Sequence, residues 1–245
     1  MTTAYAPNAL AFTSDPAYLR REDSALVRGQ GQFVHHFTTP GMVHGVFLRS
    51  EQAQAKIALT GLGEARCMPG VRAVLTVREL GQHNMPAINA LLPVSVDVSF
   101  PILADEEVSY VGQPIALVVG ESQEACRRAV AAITVSYAAL DRSLTSEPVT
   151  TTAIGTPATT LPADAVTVST RLASPRVIAA SMEPRATVAS WTPESCTMDV
   201  HMGTQAPSRA RADIAALLQL PEDQVRIISK DVGGAFGAKA SVYPE

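Results

Sequence analysis

Gly233-Gly234-Ala235-Phe236-Gly237 follows the apolar run from Val225 to Ser229 and is the strongest local chemical signal in the chain. Glycines at a strand end remove side-chain bulk, so backbone N–H groups can approach a ligand closely and positive φ angles cost little. Such a loop can hold an anionic cofactor while Phe236 forms an apolar wall. An ordinary tight turn with Phe236 filling a core is the competing reading. Gly203-Thr204-Gln205 ends a second apolar run, and Gln205 offers both a donor and an acceptor where a strand meets a helix. Two such strand ends flanking one helix can converge on a single pocket.

Two familiar glycine motifs fail. A phosphate loop started at Gly233 would need Gly at Ala238 and Ser or Thr at Ala240. A dinucleotide fingerprint started at Gly29 and Gly31 meets Val34 where its last Gly belongs. The histidines lie outside zinc spacing, and Cys67, Cys126 and Cys196 form no C-x-x-C, so no metal-ligating residue is assigned. The odd, scattered cysteines suit a reducing compartment and buried thiols. Cys196 and the methionines of its strand read as core packing, His35 and His36 as a strand edge, and His44 as a partly buried, hydrogen-bonded histidine. Glu183 and Arg185 read as a structural ion pair or a turn.

The chain of 245 residues is 47% hydrophobic and 17% charged with a net charge of −4, enough to bury a sizeable core. No basic stripe suggests nucleic acid, and no apolar run approaches the ~20 residues of a membrane span. Met1 to Asp15 lacks the pattern of a secretory signal. A cytoplasmic protein is the expectation.

The elements that must position these residues read as a mixed, α+β pattern. Strands are expected over Gln32 to Phe37, Val43 to Arg49, Ala55 to Leu59 and Arg72 to Val77, with a short helix over Glu64 to Met68. Gly81 to Pro101, with three prolines, reads as a surface excursion. Val108 to Val111 and Ile115 to Val119 read as strands, Ser122 caps a helix running to about Ala132, and Ile133 to Tyr137 is a β-branched strand. Residues 142–164, rich in Ser, Thr, Ala and Pro, read as a linker. Ala165 to Leu172 and Thr187 to Trp191 read as strands. Cys196 to Met202 alternates with period two, and Pro207 opens a helix with Ala210, Ile214, Leu217 and Leu218 on its apolar face. The expected division is an extension over 1–19, a domain over 20–141, the linker, and a second, incomplete domain over 165–245.

Across this frame the chain resembles the N-terminal third of the molybdenum-binding large subunit of the xanthine dehydrogenase, aldehyde oxidase and carbon monoxide dehydrogenase family. The resemblance rests on segments in family order. They include Pro40-Gly41-Met42, Phe47-Leu48-Arg49-Ser50, Met68-Pro69-Gly70-Val71 and Tyr110-Val111-Gly112-Gln113-Pro114. Met182-Glu183-Pro184-Arg185, Gly203-Thr204-Gln205-Ala206-Pro207 and Asp231-Val232-Gly233-Gly234-Ala235-Phe236-Gly237 complete the series. It implies an α/β hammerhead domain followed by the start of a molybdopterin-binding domain.

The resemblance further implies that Gln205 hydrogen-bonds an oxo group of the molybdenum centre, and that Gly233, Gly234, Ala235, Phe236 and Gly237 border the cofactor. Its chemistry would be oxidative hydroxylation of an aldehyde, N-heterocycle or related small molecule. Electrons would pass to iron–sulfur and FAD partner subunits. The family's general-base glutamate lies in a part of the subunit that this chain lacks, so no catalytic residue is assigned and inactivity alone is expected. Ala240 stands where purine-oxidising members carry a glutamate, which argues against xanthine. The expected partner is a second part of the molybdenum subunit. The alternative is a truncated, non-catalytic remnant or interaction module, with an exposed apolar edge at Ile227 and Val232.

Overall fold

The computed structural model describes residues 20–81, 83–86, 99–141, 164–166, 168–175 and 177–244. Its first block contains α1 (Asp23–Leu26), β1 (His44–Arg49), β2 (Ala55–Thr60), α2 (Leu62–Cys67), β3 (Val71–Leu75) and α3 (Val77–Leu80). It continues through β4 (Asn84–Pro86), β5 (Ser99–Pro101), β6 (Glu107–Val108), β7 (Pro114–Gly120), α4 (Gln123–Ala132) and β8 (Thr134–Ala139). Two antiparallel three-stranded sheets result, in the orders β1-β7-β3 and β6-β2-β8.

Strand β7 is the hub because it is apolar on both faces. Val118 packs with Ala65, Val74, Cys126 and Ala129 under the helices. Ile115, on the opposite face, packs with Ala55, Ala104 and Val108. Burying each such side chain contributes about 2 kcal/mol. The helix over this sheet starts as expected, with Ser122 Oγ accepting the Ala125 N–H at 3.2 Å. Its small inward residues let it lie close, and Gly120 beneath has no room for a side chain: a Cβ there would lie 2.6 Å from the Gly70 oxygen and 2.9 Å from Cys126 Sγ. Cys126 donates to the His44 carbonyl at 3.2 Å, and burial pushes its thiol pKa up.

The second block contains β9 (Thr187–Thr192), β10 (Thr197–Met202), α5 (Pro207–Leu218) and β11 (Val225–Ile228). β10 pairs antiparallel with β9 and parallel with β11, so α5 is the crossover of a β-α-β unit. Val200, Ala215 and Val225 form its core. Met85, Ala210 and Val242 form a further cluster where β4 meets α5, joining the two blocks. The same joint overturns the surface excursion in part: Asn84–Pro86 pairs with Ser99–Pro101, and Met85 is buried.

Several other expectations are corrected. Gln32 to Phe37 is not a strand but carries a 3-10 turn over Val34–His36, closed by His36 N–H to Phe33 O and Phe37 N–H to Val34 O, each 3.0 Å. No strand forms among the described residues of 164–172, where Val166, Val168 and Leu172 are exposed. The strand at Val108 stops there, because Gly112 N–H donates to the Ser50 carbonyl at 2.7 Å and turns the chain. Val77–Leu80 is helical, held by a capping box in which Thr76 Oγ1 accepts the Arg78 N–H and Glu79 accepts the Thr76 N–H. Cys126 is buried as expected, but Cys67 and Cys196 are exposed, the latter in a turn at φ +51°. Ile227 packs against the core instead of forming an exposed edge. The extension over 1–19 and nearly all of the linker lie outside the described residues.

Candidate functional site

β10 delivers Gly203-Thr204-Gln205 to the N-terminus of α5, where Pro207 occupies the first turn. Three bonds set this bend. The Thr204 hydroxyl donates to the Lys239 carbonyl at 3.2 Å and accepts the Ala206 N–H at 3.1 Å, and the Gln205 N–H donates to the same carbonyl at 2.9 Å. β11 delivers the glycine loop beside it. Gly234 and Gly237 adopt φ of +94° and +88°, angles that side chains resist, and a Cβ at Gly234 would press on Ser181 at 3.2 Å. Ala235 closes the loop by accepting the Ala238 N–H at 2.9 Å.

The bend and the loop touch. The Gly237 N–H donates to Gln205 Oε1 at 3.1 Å across 32 residues of sequence. Only the amide oxygen can meet an N–H, so the Nε2 group of Gln205 is left as a donor for another acceptor. Phe236 is 76% exposed at φ +50°, which removes the reading in which it fills a core. A bulky residue held in the left-handed region without burial is strained, and such strain concentrates at functional sites. Gln205, Phe236 and Gly237 together form an open face with one amide donor, one ring and little bulk.

Beneath that face lies an ion pair whose partner sequence inspection missed. Glu183 belongs to a structural ion pair, as expected, and its partner is Lys239, Nζ to Oε2 at 2.7 Å, the two residues being only 7% and 2% exposed. The same Oε2 accepts the Gly233 N–H at 2.9 Å, and Oε1 accepts the Val34 N–H at 3.3 Å. Burial alone would raise the Glu183 pKa, but hydrogen bonds from Lys239, Gly233 and Val34 outweigh it and hold the carboxyl below its usual value. Gly233 has to be glycine here, since a Cβ would lie 2.5 Å from that of Glu183. The available signal was slight: one lysine among small residues after Gly237, and a Met-Glu-Pro-Arg segment 50 residues upstream of Gly233. Arg185 instead lies over the Tyr243 ring at 3.9 Å.

The alternating strand is covered on its second face too. His201 stacks on Phe37 at 3.7 Å, and this burial, ahead of the charges around it, holds the imidazole pKa below its usual value. His44 is partly buried, as expected. No group of His, Cys, Asp or Glu able to hold a metal ion occurs among the described residues, and none of their helices is long and apolar enough to cross a membrane.

Two family models match successive parts of the chain. The aldehyde oxidase and xanthine dehydrogenase a/b hammerhead domain covers residues 28–141, and the molybdopterin cofactor-binding domain covers residues 143–245. The carbon monoxide dehydrogenase large chain of Hydrogenophaga pseudoflava is 31% identical, over 94% of this chain and 32% of its own length. The nicotine 6-hydroxylase large subunit of Paenarthrobacter nicotinovorans is 29% identical, over 92% of this chain and 30% of its own. Among solved structures, quinoline 2-oxidoreductase from Pseudomonas putida 86 superposes with a TM-score of 0.82 at 28% identity, covering 92% of this chain and 31% of that one. The chain therefore spans about a third of the length of the relatives it matches.

Proposed function

This chain belongs to the xanthine dehydrogenase, aldehyde oxidase and carbon monoxide dehydrogenase family, and from that premise we propose that it supplies one wall of a molybdopterin site within a molybdenum hydroxylase. The fold is the family's hammerhead domain followed by the start of its molybdopterin-binding domain. One observation carries the proposal: the Gly237 N–H bond to Gln205 Oε1, which joins two motifs that sequence alone left 32 residues apart.

The residues fit such a group. Gln205 keeps an amide N–H₂ available for an electron-rich acceptor such as an oxo ligand, and the glycine loop leaves room for a bulky organic ligand to approach backbone. Phe236 would border it on the apolar side. When bound, the molybdenum centre supplies the redox chemistry, while this chain's residues bind and orient. The remaining parts of the proposal are an aldehyde or N-heterocycle as substrate, iron–sulfur and FAD subunits as electron partners, and further large-subunit polypeptide to complete the site. Residence in the cytosol belongs to it as well, and three unpaired thiols fit a reducing compartment.

The alternative, a non-catalytic interaction module, draws on a different observation: Val177, Ile178, Met182 and Phe236 are large apolar side chains that are exposed. Metal content separates the two. The chain is produced in a host that makes molybdenum cofactor, with and without the rest of a large subunit as a second polypeptide, and molybdenum and pterin are measured in the purified material. Near-stoichiometric molybdenum in the pair, reduced about tenfold in Gln205→Ala, is expected from the loss of the amide donor together with its bond to the Gly237 N–H. A pair that associates tightly yet carries no molybdenum would sink the cofactor proposal and leave the interaction module.

A further inference from the structure

We propose that Glu183 and Lys239 form a positioning pair that fixes how the Gln205 amide is presented, an inference that rests on the reading of Gln205 as a cofactor contact. Neither residue belongs to the exposed face. Both are buried below it, and every link between them and Gln205 is a bond of definite geometry.

The route begins at the ammonium. Lys239 Nζ donates to Glu183 Oε2 at 2.7 Å, which anchors the Lys239 side chain and with it the Lys239 main chain. The Lys239 carbonyl then accepts both the Gln205 N–H and the Thr204 hydroxyl, at 2.9 Å and 3.2 Å. From the other side, Glu183 binds the head of the glycine loop twice: its carboxylate accepts the Gly233 N–H at 2.9 Å, and its own N–H donates to the Gly233 carbonyl at 3.0 Å. Both ends of the loop are thus tied to one carboxylate. Between those ties the loop places the Gly237 N–H 3.1 Å from Gln205 Oε1. That bond decides which half of the amide is spent and which half is offered.

Two further features show that the surroundings are shaped for the pair. A Cβ on Gly203 would lie 3.2 Å from Glu183 Oε2 and 3.3 Å from Lys239 Nζ, so glycine clears the space above both charges. The second carboxylate oxygen takes the Val34 N–H at 3.3 Å, which seats the turn of the first block against the same anchor. A pair serving stability alone would need neither the double tie to Gly233 nor the shared Lys239 carbonyl. Buried ion pairs are often no more stabilising than an apolar substitute, and fixing a single arrangement is what they can add.

The test is amide hydrogen exchange on the full chain, with the Gln205 and Gly237 N–H rates read as ratios to the Val200 N–H rate in the core of β10. Because Val200 reports global opening, a rise in these ratios measures loosening at the bend and loop alone. The double variant Glu183→Gln/Lys239→Met removes both charges together and leaves no unpaired buried ion, so it keeps the test open if Lys239→Met fails to fold. The expected result is a rise of at least about tenfold in both ratios in the double variant, with the exposed-pair variant Arg211→Met unchanged. Wild-type ratios in the double variant would overturn the proposal, as would equal acceleration of Val200, Gln205 and Gly237. Molybdenum content of the loaded wild type is a separate readout. If it is nil while the exchange pattern holds, the cofactor reading fails and the positioning pair stands.

Discussion

Lys239→Met should destabilise the chain by about 3 kcal/mol at neutral pH, because it leaves the Glu183 carboxylate buried without its counter-ion. The pair is 2% and 7% exposed, so water cannot take over the missing partner, and only the Gly233 and Val34 N–H groups remain. That loss is a large fraction of the ~5–15 kcal/mol that holds a typical domain together. Its pH dependence is the sharper signature. In the wild type the Glu183 pKa is held below its unfolded value, so its contribution is complete above about pH 4.3 and is lost as pH falls through the folded pKa. In the variant the Lys239 hydrogen bond and charge no longer lower the pKa while burial still raises it, so the folded pKa moves up from its wild-type value. The penalty should therefore be full at pH 7 and shrink as pH falls into the carboxylate range, where the variant's carboxyl takes up its proton before the wild type's does. Urea unfolding followed by the fluorescence of Trp191, the sole tryptophan, measures both quantities. A loss below about 1 kcal/mol, or one that is flat with pH, would refute the reasoning, since that is how an exposed pair behaves.

Gly120→Ala should cost about 2 kcal/mol or more in urea unfolding, because its Cβ would sit 2.6 Å from the Gly70 oxygen and 2.9 Å from the buried Cys126 Sγ. Ser122→Ala, which removes the cap on α4, should cost about 1 kcal/mol, with Ser122→Gly closer to wild type. Phe236→Gly should leave stability unchanged or raise it by about 1 kcal/mol, since it relieves a left-handed φ at an exposed residue; a clear fall in the urea midpoint would show that the ring packs. Glu79→Gln should cost under about 1 kcal/mol against Arg66, because that pair is more than a third exposed and screened by solvent, and thermal unfolding in high salt should narrow the difference further.

Much of the frame could be read from local pattern alone. The alternation and apolar runs located β1, β2, β7, β9 and β10, and the Ser122 cap and Pro207 located α4 and α5, because each depends on interactions within a few residues. The ordered motifs point to the family from the sequence alone. The errors fall where the decisive contact is distant. Gln32 to Phe37 has strand-like composition, but no strand among the described residues pairs with it, and Val34 turns its N–H to Glu183 149 residues away. Met85 sits in a proline-rich stretch yet reaches the cluster with Ala210 and Val242. The ion pair expected at Glu183 is present, but its partner could not be named from local sequence, because Lys239 lies 56 residues away.

Sequence by itself determined the residue types of the site: an amide at Gln205, a loop stripped of bulk from Gly233 to Gly237, and a ring at Phe236. Only the tertiary structure decided that the amide and the loop touch, that the amide oxygen is the half consumed, and that the ring faces solvent. The reason is the range of the forces involved. Backbone propensity and apolar periodicity act over one or two turns of chain, whereas a hydrogen bond between Gly237 and Gln205 needs β10, α5 and β11 packed together to bring residues 32 positions apart into contact.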